Sequence, residues 1–232
     1  MRKQQQGFTL IEIAIVLVII GLLLGGVLKG QELIQNARVR NIIAQQDGIK
    51  AAFFGFQDRY RGIPGDYTSA NANSNIPAAG TTCGGDSDSL IENATATGSG
   101  STEDVCSWYH LSKAGFITGN YSGSGAATST NSPTNAFGGL MQLIYDGTYS
   151  DTVTPIPSVH NIKTGINIPA TVLAEVDRKL DDGQPSSGAF RFSTFGSVTT
   201  TNCINGGSGT PPTATTWSIA NTSTNCGGAS LF

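Results

Sequence analysis

The residue whose chemistry is hardest to explain away is Glu12, a carboxylate set just inside the apolar run of "GFTLIEIAIVLVIIGLLLGGVLKG". A carboxylate at the middle of a membrane helix costs about 2.5–3.5 kcal/mol, and less near the edge, so an acid in such a run calls for a named partner. One reading is an acid close enough to the interface to reach water. The other is an ion pair. If the chain is cut between Gly7 and Phe8, the new α-amino group on Phe8 is a cation at a helix N-terminus, one turn from Glu12, and the carboxylate offsets both it and the helix dipole. The amine of a neighbouring copy would serve equally.

Other groups capable of chemistry are few. Four cysteines fall into two sequential pairs, Cys83 with Cys106 and Cys203 with Cys226, each enclosing a polar loop of roughly 22 residues. Three connectivities are open to four cysteines, and sequential pairing is the one expected, because each loop is too polar to hold itself by burial. Each closure would stabilise by about 3 kcal/mol on the chain-entropy account. Without a Cys-x-x-Cys pair, zinc is not indicated. Two carboxylate groups have spacings that invite calcium: Asp86, Asp88 and Glu92, well short of an EF-hand loop, and Asp177, Asp181 and Asp182. A solvated acidic loop accounts for the first, and helix-end and turn chemistry for the second, so no metal or other cofactor is expected. Only two histidines occur, His110 and His160, with no G-x-S-x-G and no H-E-x-x-H, so acyl-transfer and metalloprotease chemistry lack support and no enzyme is expected. Trp108 and His110 read as packing and polar-rim residues.

Composition sets what can position these groups. Only 12% of residues are charged, about half the usual share, while Gly, Ser, Thr and Asn crowd the chain after about residue 65, which favours turns and strands over long surface helices. The net charge of −3, with no basic tract beyond "RVR", does not indicate nucleic acid as a partner. Cysteines behind an apolar N-terminus point to an oxidising compartment. Phe8 to Leu28 makes about 21 residues, or about 30 Å of helix, enough to cross a bilayer. No small-x-small cleavage site follows it, so a conventional secretory signal is not the reading. Lys29, Arg38 and Arg40 balance Arg2 and Lys3, and orientation stays open. Beyond Lys29 the helix turns amphipathic, with Leu33, Ile34, Ala37, Ile42, Ile49, Phe53, Phe56 and Tyr60 at helical steps, until "RGIPGDY" stops it.

Farther along, residues from about 68 to 101 read as a surface loop pinned by Cys83. "STEDVCSWYHLSKAGFITG" predicts a short capped helix ended by Gly115, and "NAFGGLMQLIYDG" a short helix or loop. In "IPATVLAEVDRKLDDGQPSSGAFRFSTF", Pro169 opens a helix with a Val172, Val176, Leu180 stripe, Gly183 closes it, and Phe190 and Phe192 alternate as in a strand. One more strand is expected at "TTWSIA".

The opening residues carry a resemblance. "GFTLIEIAIVLVIIGLLLG" behind the basic leader "MRKQQQ" resembles the class III signal and first helix half of type IV pilins and type II secretion pseudopilins. The resemblance implies cleavage after Gly7, N-methylation of Phe8, and pairing of Glu12 with the amine of an adjacent subunit. "RYRGIPGDYTSA" and "DRKLDDGQPSSG" also resemble segments of pilin-like proteins, and in the major pseudopilin a carboxylate cluster holds calcium. Many type IV pilins place a proline where this chain has Lys29; here Gly21, Gly25, Gly26 and Gly30 offer small-xxx-small spacings for helix packing.

The implied fold is α+β and pilin-like: a long N-terminal helix, transmembrane in its first half and amphipathic in its second, packed on a C-terminal domain with antiparallel sheet, large loops and disulfides. The expected organisation is 1–7 leader, 8–29 transmembrane and assembly half, 30–62 amphipathic half, and 63–232 globular domain, periplasmic or surface-exposed. The implied function is a filament subunit, pilin or minor pilin, with a pseudopilin as the alternative. Its implied partners are other pilin subunits, a prepilin peptidase, an inner-membrane assembly platform and, before assembly, the membrane. The implied location is a single-pass inner-membrane precursor, then an extracellular pilus or periplasmic pseudopilus.

Overall fold

Helix α1 runs without interruption from Leu10 to Tyr60 in the computed structural model, which describes residues 9–77, 83–93, 101–206, 216–220 and 223–232. Two units divide at this helix, Met1–Arg38 and Val39–Phe232. In the first, every large apolar side chain from Leu10 to Leu28 is exposed, Leu10 at 90%, and the helix is long and apolar enough to cross a membrane. Leu33, Ile34 and Ala37 are exposed as well, so the amphipathic stripe is buried only from Val39 onward. Apolar spacing marks a face that wants a partner; it does not say that the partner is in the same chain.

In the second unit, α1 buries Val39, Ile42, Gln46, Ile49, Ala52, Phe53 and Phe56. The remaining elements are α2 (Ser69–Asn75), α3 (Glu103–Lys113), β1 (Gln142–Asp146), β2 (Val159–Lys163), α4 (Ala170–Leu180), β3 (Phe190–Phe192), α5 (Thr200–Cys203), β4 (Ile204–Asn205), β5 (Thr216–Trp217) and β6 (Gly228–Leu231). Four strands form an antiparallel sheet in the order β1-β2-β6-β3, and β4 pairs with β5 in a separate ribbon. The last strand is therefore central. Gly228 and Ala229 suit that place, since a Cβ at Gly228 would stand 2.4 Å from the Phe190 ring.

Two apolar clusters hold this unit. One joins Ile49, Phe53 and Phe56 of α1 to Trp108 and Leu111 of α3 and to Leu143 and Ile162 of the sheet. The other joins Val39 and Ile42 to Leu173 and Val176 of α4, Phe190, Phe192 and Trp217. Each contains one disulfide, Cys83–Cys106 in the first and Cys203–Cys226 in the second, the sequential pairing. Gln46 lies buried in the α1 stripe, and neither its Oε1 nor its Nε2 meets a partner among the described residues. Lys163 is fully buried, with its Nζ 2.8 Å from Asp146 Oδ1 and donating to Thr148 O and Oγ1, so the charge is paired and its donors are used.

Local patterns gave α1, α3, α4, β3 and β5, while α2, β1, β2, α5, β4 and β6 went unread; three of these show why. The segment after residue 68 contains α2, whose cap is Thr68 accepting from Asn71 N–H and whose one buried side chain is Ala72; so little apolar content leaves no periodic signal. "LMQLIYDG" forms β1 rather than a helix, because strand pairing with β2 uses both faces of the run and Met141, Leu143 and Ile144 are all buried. "GASL" forms β6, a strand too short and small to announce itself.

A buried histidine ties the first loop down. Gly65, at φ +98°, brings its N–H 3.0 Å from His110 Nδ1, and a side chain there would strike Glu103 O. His110 Nε2 lies 3.4 Å from Cys83 O. Burial depresses the imidazole from 6.5 to about 4, with the Cys83 carbonyl opposing. The folded chain thus declines a proton that the unfolded chain accepts, and stability falls as pH drops through 6.5 towards 4, by about 3 kcal/mol at most. Glu103, raised by burial to about 7, works in the opposite sense, so a difference measurement is needed. His110→Gln should lose less thermal stability than the wild type between pH 6.5 and 4; parallel profiles would refute the assignment.

Candidate functional site

The start of α1 carries a feature that the sequence reading passed over. Thr9 N–H donates to Glu12 Oε2 at 2.8 Å, Thr9 Oγ1–H donates to the same oxygen at 2.7 Å, and Glu12 N–H reaches back to Thr9 Oγ1 at 3.4 Å. This is a reciprocal capping box, Thr at the cap and Glu three residues on, and "TLIE" was its legible signal. Both Thr9 bonds fall on Oε2, and Oε1 meets no donor among the described residues. The carboxylate is therefore oriented by its own chain while one oxygen remains for another cation. Gly7 and Phe8, the expected cleavage and methylation positions, lie outside the described residues.

The glycines downstream are open. A Cβ added at Gly21, Gly25, Gly26 or Gly30 would meet nothing within 4 Å. Among the described residues these positions pack against nothing, and their expected role requires a second helix. Lys29 makes a surface ion pair with Glu32 at 2.7 Å, one turn on, an interaction of marginal stability value in water.

The carboxylates sort into two clusters, one of them different from the expected set. Asp86 gathers with Asp66 and Glu103, not with Asp88 and Glu92. Asp66 accepts backbone N–H bonds from Ser87, Asp88 and Ser89, and Glu103 accepts from Asp86 and Glu92. The chain from 86 to 92 wraps around two buried acids, spending its N–H groups on them; this is how a polar loop is folded without apolar burial. Burial raises both carboxyls, Glu103 to about 7. Neighbours in sequence suggested Asp88 and Glu92, but the partners come from before and after the loop.

The other expected trio does converge: Asp177, Asp181 and Asp182 each place a carboxylate oxygen within 4.8 Å of the others. Asp177, at 0% exposure on the last turn of α4, accepts from Trp217 Nε1 at 2.6 Å. Asp181 accepts from the backbone N–H groups of Asp182, Ala189 and Phe190. Burial, with the adjacent Asp181 carboxylate, pushes Asp177 up to about 8.

Trp108 and His110 are core residues, and His160 sits among Phe53, Tyr145 and Phe232. Neither histidine faces a nucleophile in the described contacts. Arg191 pairs with Asp151, and its guanidinium stands 5.4 Å from the centre of the Tyr149 ring, from which Lys163 Nζ is 5.8 Å away. Lys163 is met by Asp146 and Arg191 by Asp151, and the Arg191–Asp151 pair stitches β3 to the segment after β1.

Asp66→Ala should release the three N–H groups of Ser87, Asp88 and Ser89 and open the 83–93 loop to limited proteolysis, with α1 and the sheet protected. Wild-type resistance in the variant would show that Cys83–Cys106 alone fixes the loop.

Residues 2–28 match the family model described as the prokaryotic N-terminal methylation motif. No curated protein and no solved structure matches the chain. A motif of this kind marks structural subunits made as membrane-anchored precursors, and it implies processing by a prepilin peptidase and assembly with other pilin subunits. On an α+β, pilin-like fold with two disulfides, the chain thus carries a prokaryotic N-terminal methylation motif, consistent with the class III signal of a type IV pilin- or pseudopilin-like precursor.

Proposed function

We propose that this chain is a structural subunit of a type IV pilus-like filament, a pilin or minor pilin, cut after Gly7, N-methylated at Phe8 and assembled through the first half of α1. The observation that carries it is the methylation motif at residues 2–28 leading into an apolar helix whose side chains stand exposed among the described residues. Residues 1–7 act as the leader, 8–29 as the membrane and assembly segment, 30–62 as the amphipathic half, and 63–232 as the domain exposed to the periplasm and then at the filament surface. Before assembly the apolar helix is covered by lipid; in the filament, neighbouring helices replace the lipid, and Gly21, Gly25, Gly26 and Gly30 allow close approach. Glu12 Oε1 takes the Phe8 amine of the adjacent subunit while Oε2 keeps the cap. Inside an apolar bundle such a pair is strong, because neither charge has water as an alternative.

Two measurements test the proposal. Mass spectrometry of the membrane-extracted protein should find an N-terminus at Phe8 bearing a methyl group; an intact Met1 in cells that possess the peptidase overturns it. Glu12→Ala and Glu12→Gln separate the two duties of the carboxylate. Gln preserves the capping box but not the charge, so both variants should be processed and folded, and both should be excluded from filaments. Normal incorporation of the Gln variant would assign Glu12 to helix capping alone. Purified filaments outside the cell distinguish a pilus from a short periplasmic secretion filament.

A further inference from the structure

We propose that the polar face of the four-stranded sheet carries a binding cleft for a neutral polyhydroxylated ligand, a mono- or disaccharide, with Asp146 as its fixed acceptor. Strand pairing sets Gln142, Ile144, Asp146, Asn161, Lys163 and Arg191 on one face of the sheet, and Leu143, Ile162, Phe190 and Phe192 on the other, where they join the clusters that α1 enters. The first face is therefore turned from the apolar core. Over β1 it opens as a cleft of about 540 Å³, lined by Gln142, Ile144 and Asp146 together with Glu92, Asn93 and Phe195. Sites for small molecules span about 300–1,000 Å³, so the space suits one or two sugar rings.

The sheet holds Asp146 in a way that stability alone does not explain. Lys163 has a side chain at 0% exposure and its Nζ stands 2.8 Å from Asp146 Oδ1. Taking two charges out of water costs about what their attraction returns, and apolar residues would serve the sheet as well. What the pair supplies is orientation. Lys163 Nζ and Asn161 Nδ2 both donate to Oδ1, at 2.8 and 3.0 Å, and the Thr148 hydroxyl donates to Oδ2. Burial would raise the Asp146 carboxyl, yet the Lys163 ammonium holds it below its ordinary value. An ionised and immobile acceptor thus faces the cleft. The other lining residues are held too: Tyr145 N–H donates to Ile91 O at 2.7 Å and Glu92 N–H to Glu103 Oε2 at 2.9 Å, which lays Glu92 and Asn93 beside β1, and Phe195 N–H donates to Ser193 Oγ at 3.2 Å.

The lining selects the ligand. Gln142 gives its Nε2 to Asp104 Oδ2 at 2.9 Å and keeps its oxygen as an acceptor, so with Asp146, Glu92 and Asn93 the cleft is rich in acceptors that hydroxyl groups meet as donors. The charge of Asp146 is already offset by Lys163, so that carboxylate does not require a cation. Ile144 and Phe195 add apolar surface for the C–H face of a sugar ring. A peptide strand is a poorer fit, because β1 is an edge strand whose Tyr145 N–H is taken by Ile91. The cleft lies wholly within the second unit and binds whether or not the chain assembles into filaments.

The test uses the full chain in a detergent without a sugar headgroup. Saturation-transfer NMR with glucose, galactose, mannose, N-acetylglucosamine, lactose and maltose should show transfer to at least one of them. Asn93→Ala and Phe195→Ala should each weaken that binding by about tenfold, the loss of one good contact. The paired replacement of Lys163→Met with Asp146→Asn leaves no charge buried alone; it should stay folded and lose the sugar. Asn93 is exposed, so its variant reads the cleft even if the paired variant fails to fold. No transfer to any of the sugars at about 50 mM, undiminished binding in both single variants, or transfer to spermidine in place of the sugars overturns the proposal.

Discussion

An apolar helix whose side chains stand exposed is the constraint from which the rest follows. From Leu10 to Leu28 the apolar side chains of α1 stand exposed among the described residues, and a helix that is apolar all round is stable only in lipid or among other such helices. Its backbone bonds are internal, so the segment survives either surrounding unchanged. Its first turn is the only place where polar groups must be settled, and the box between Thr9 and Glu12 settles them while leaving a carboxylate oxygen uncommitted. A membrane anchor and an assembly surface are then the same object, used in succession.

The second unit solves a different problem, which is to fold a chain poor in apolar residues. It does so by concentrating burial in two clusters, placing a disulfide in each, and letting α1 from Val39 onward contribute to both. Where loops have little to bury, their N–H groups are gathered on carboxylates. Asp66 and Glu103 organise the loop of the first disulfide, and Asp181 organises the turn between α4 and β3. A charged hydrogen bond replaces apolar area as the local source of order, and burial of the acids is its cost.

That economy also explains why the two acidic clusters differ. Around Asp66 the loop supplies donors to the buried carboxylates, so the cluster is complete as protein. Around Asp177 the chain supplies fewer N–H donors: one indole N–H meets Oδ2, and burial, together with the adjacent Asp181 carboxylate, keeps the Asp177 carboxyl raised to about 8.

How much was legible follows from the range of each interaction. The apolar run, the stop at "RGIPGDY", the helices over Glu103–Lys113 and Ala170–Leu180 and the Phe190, Phe192 alternation are local, decided by spacing along a few turns, and the sequence by itself determined them. The capping box was equally local and was written in "TLIE". The meeting of Asp66 with Glu103, the central place of β6, the identity of β1 and the burial of Asp177 were decided by the tertiary structure alone. Each depends on partners tens of residues away, and whether a carboxylate is buried, or which N–H groups face it, is a property of the packed surroundings and not of the residues beside it in the chain.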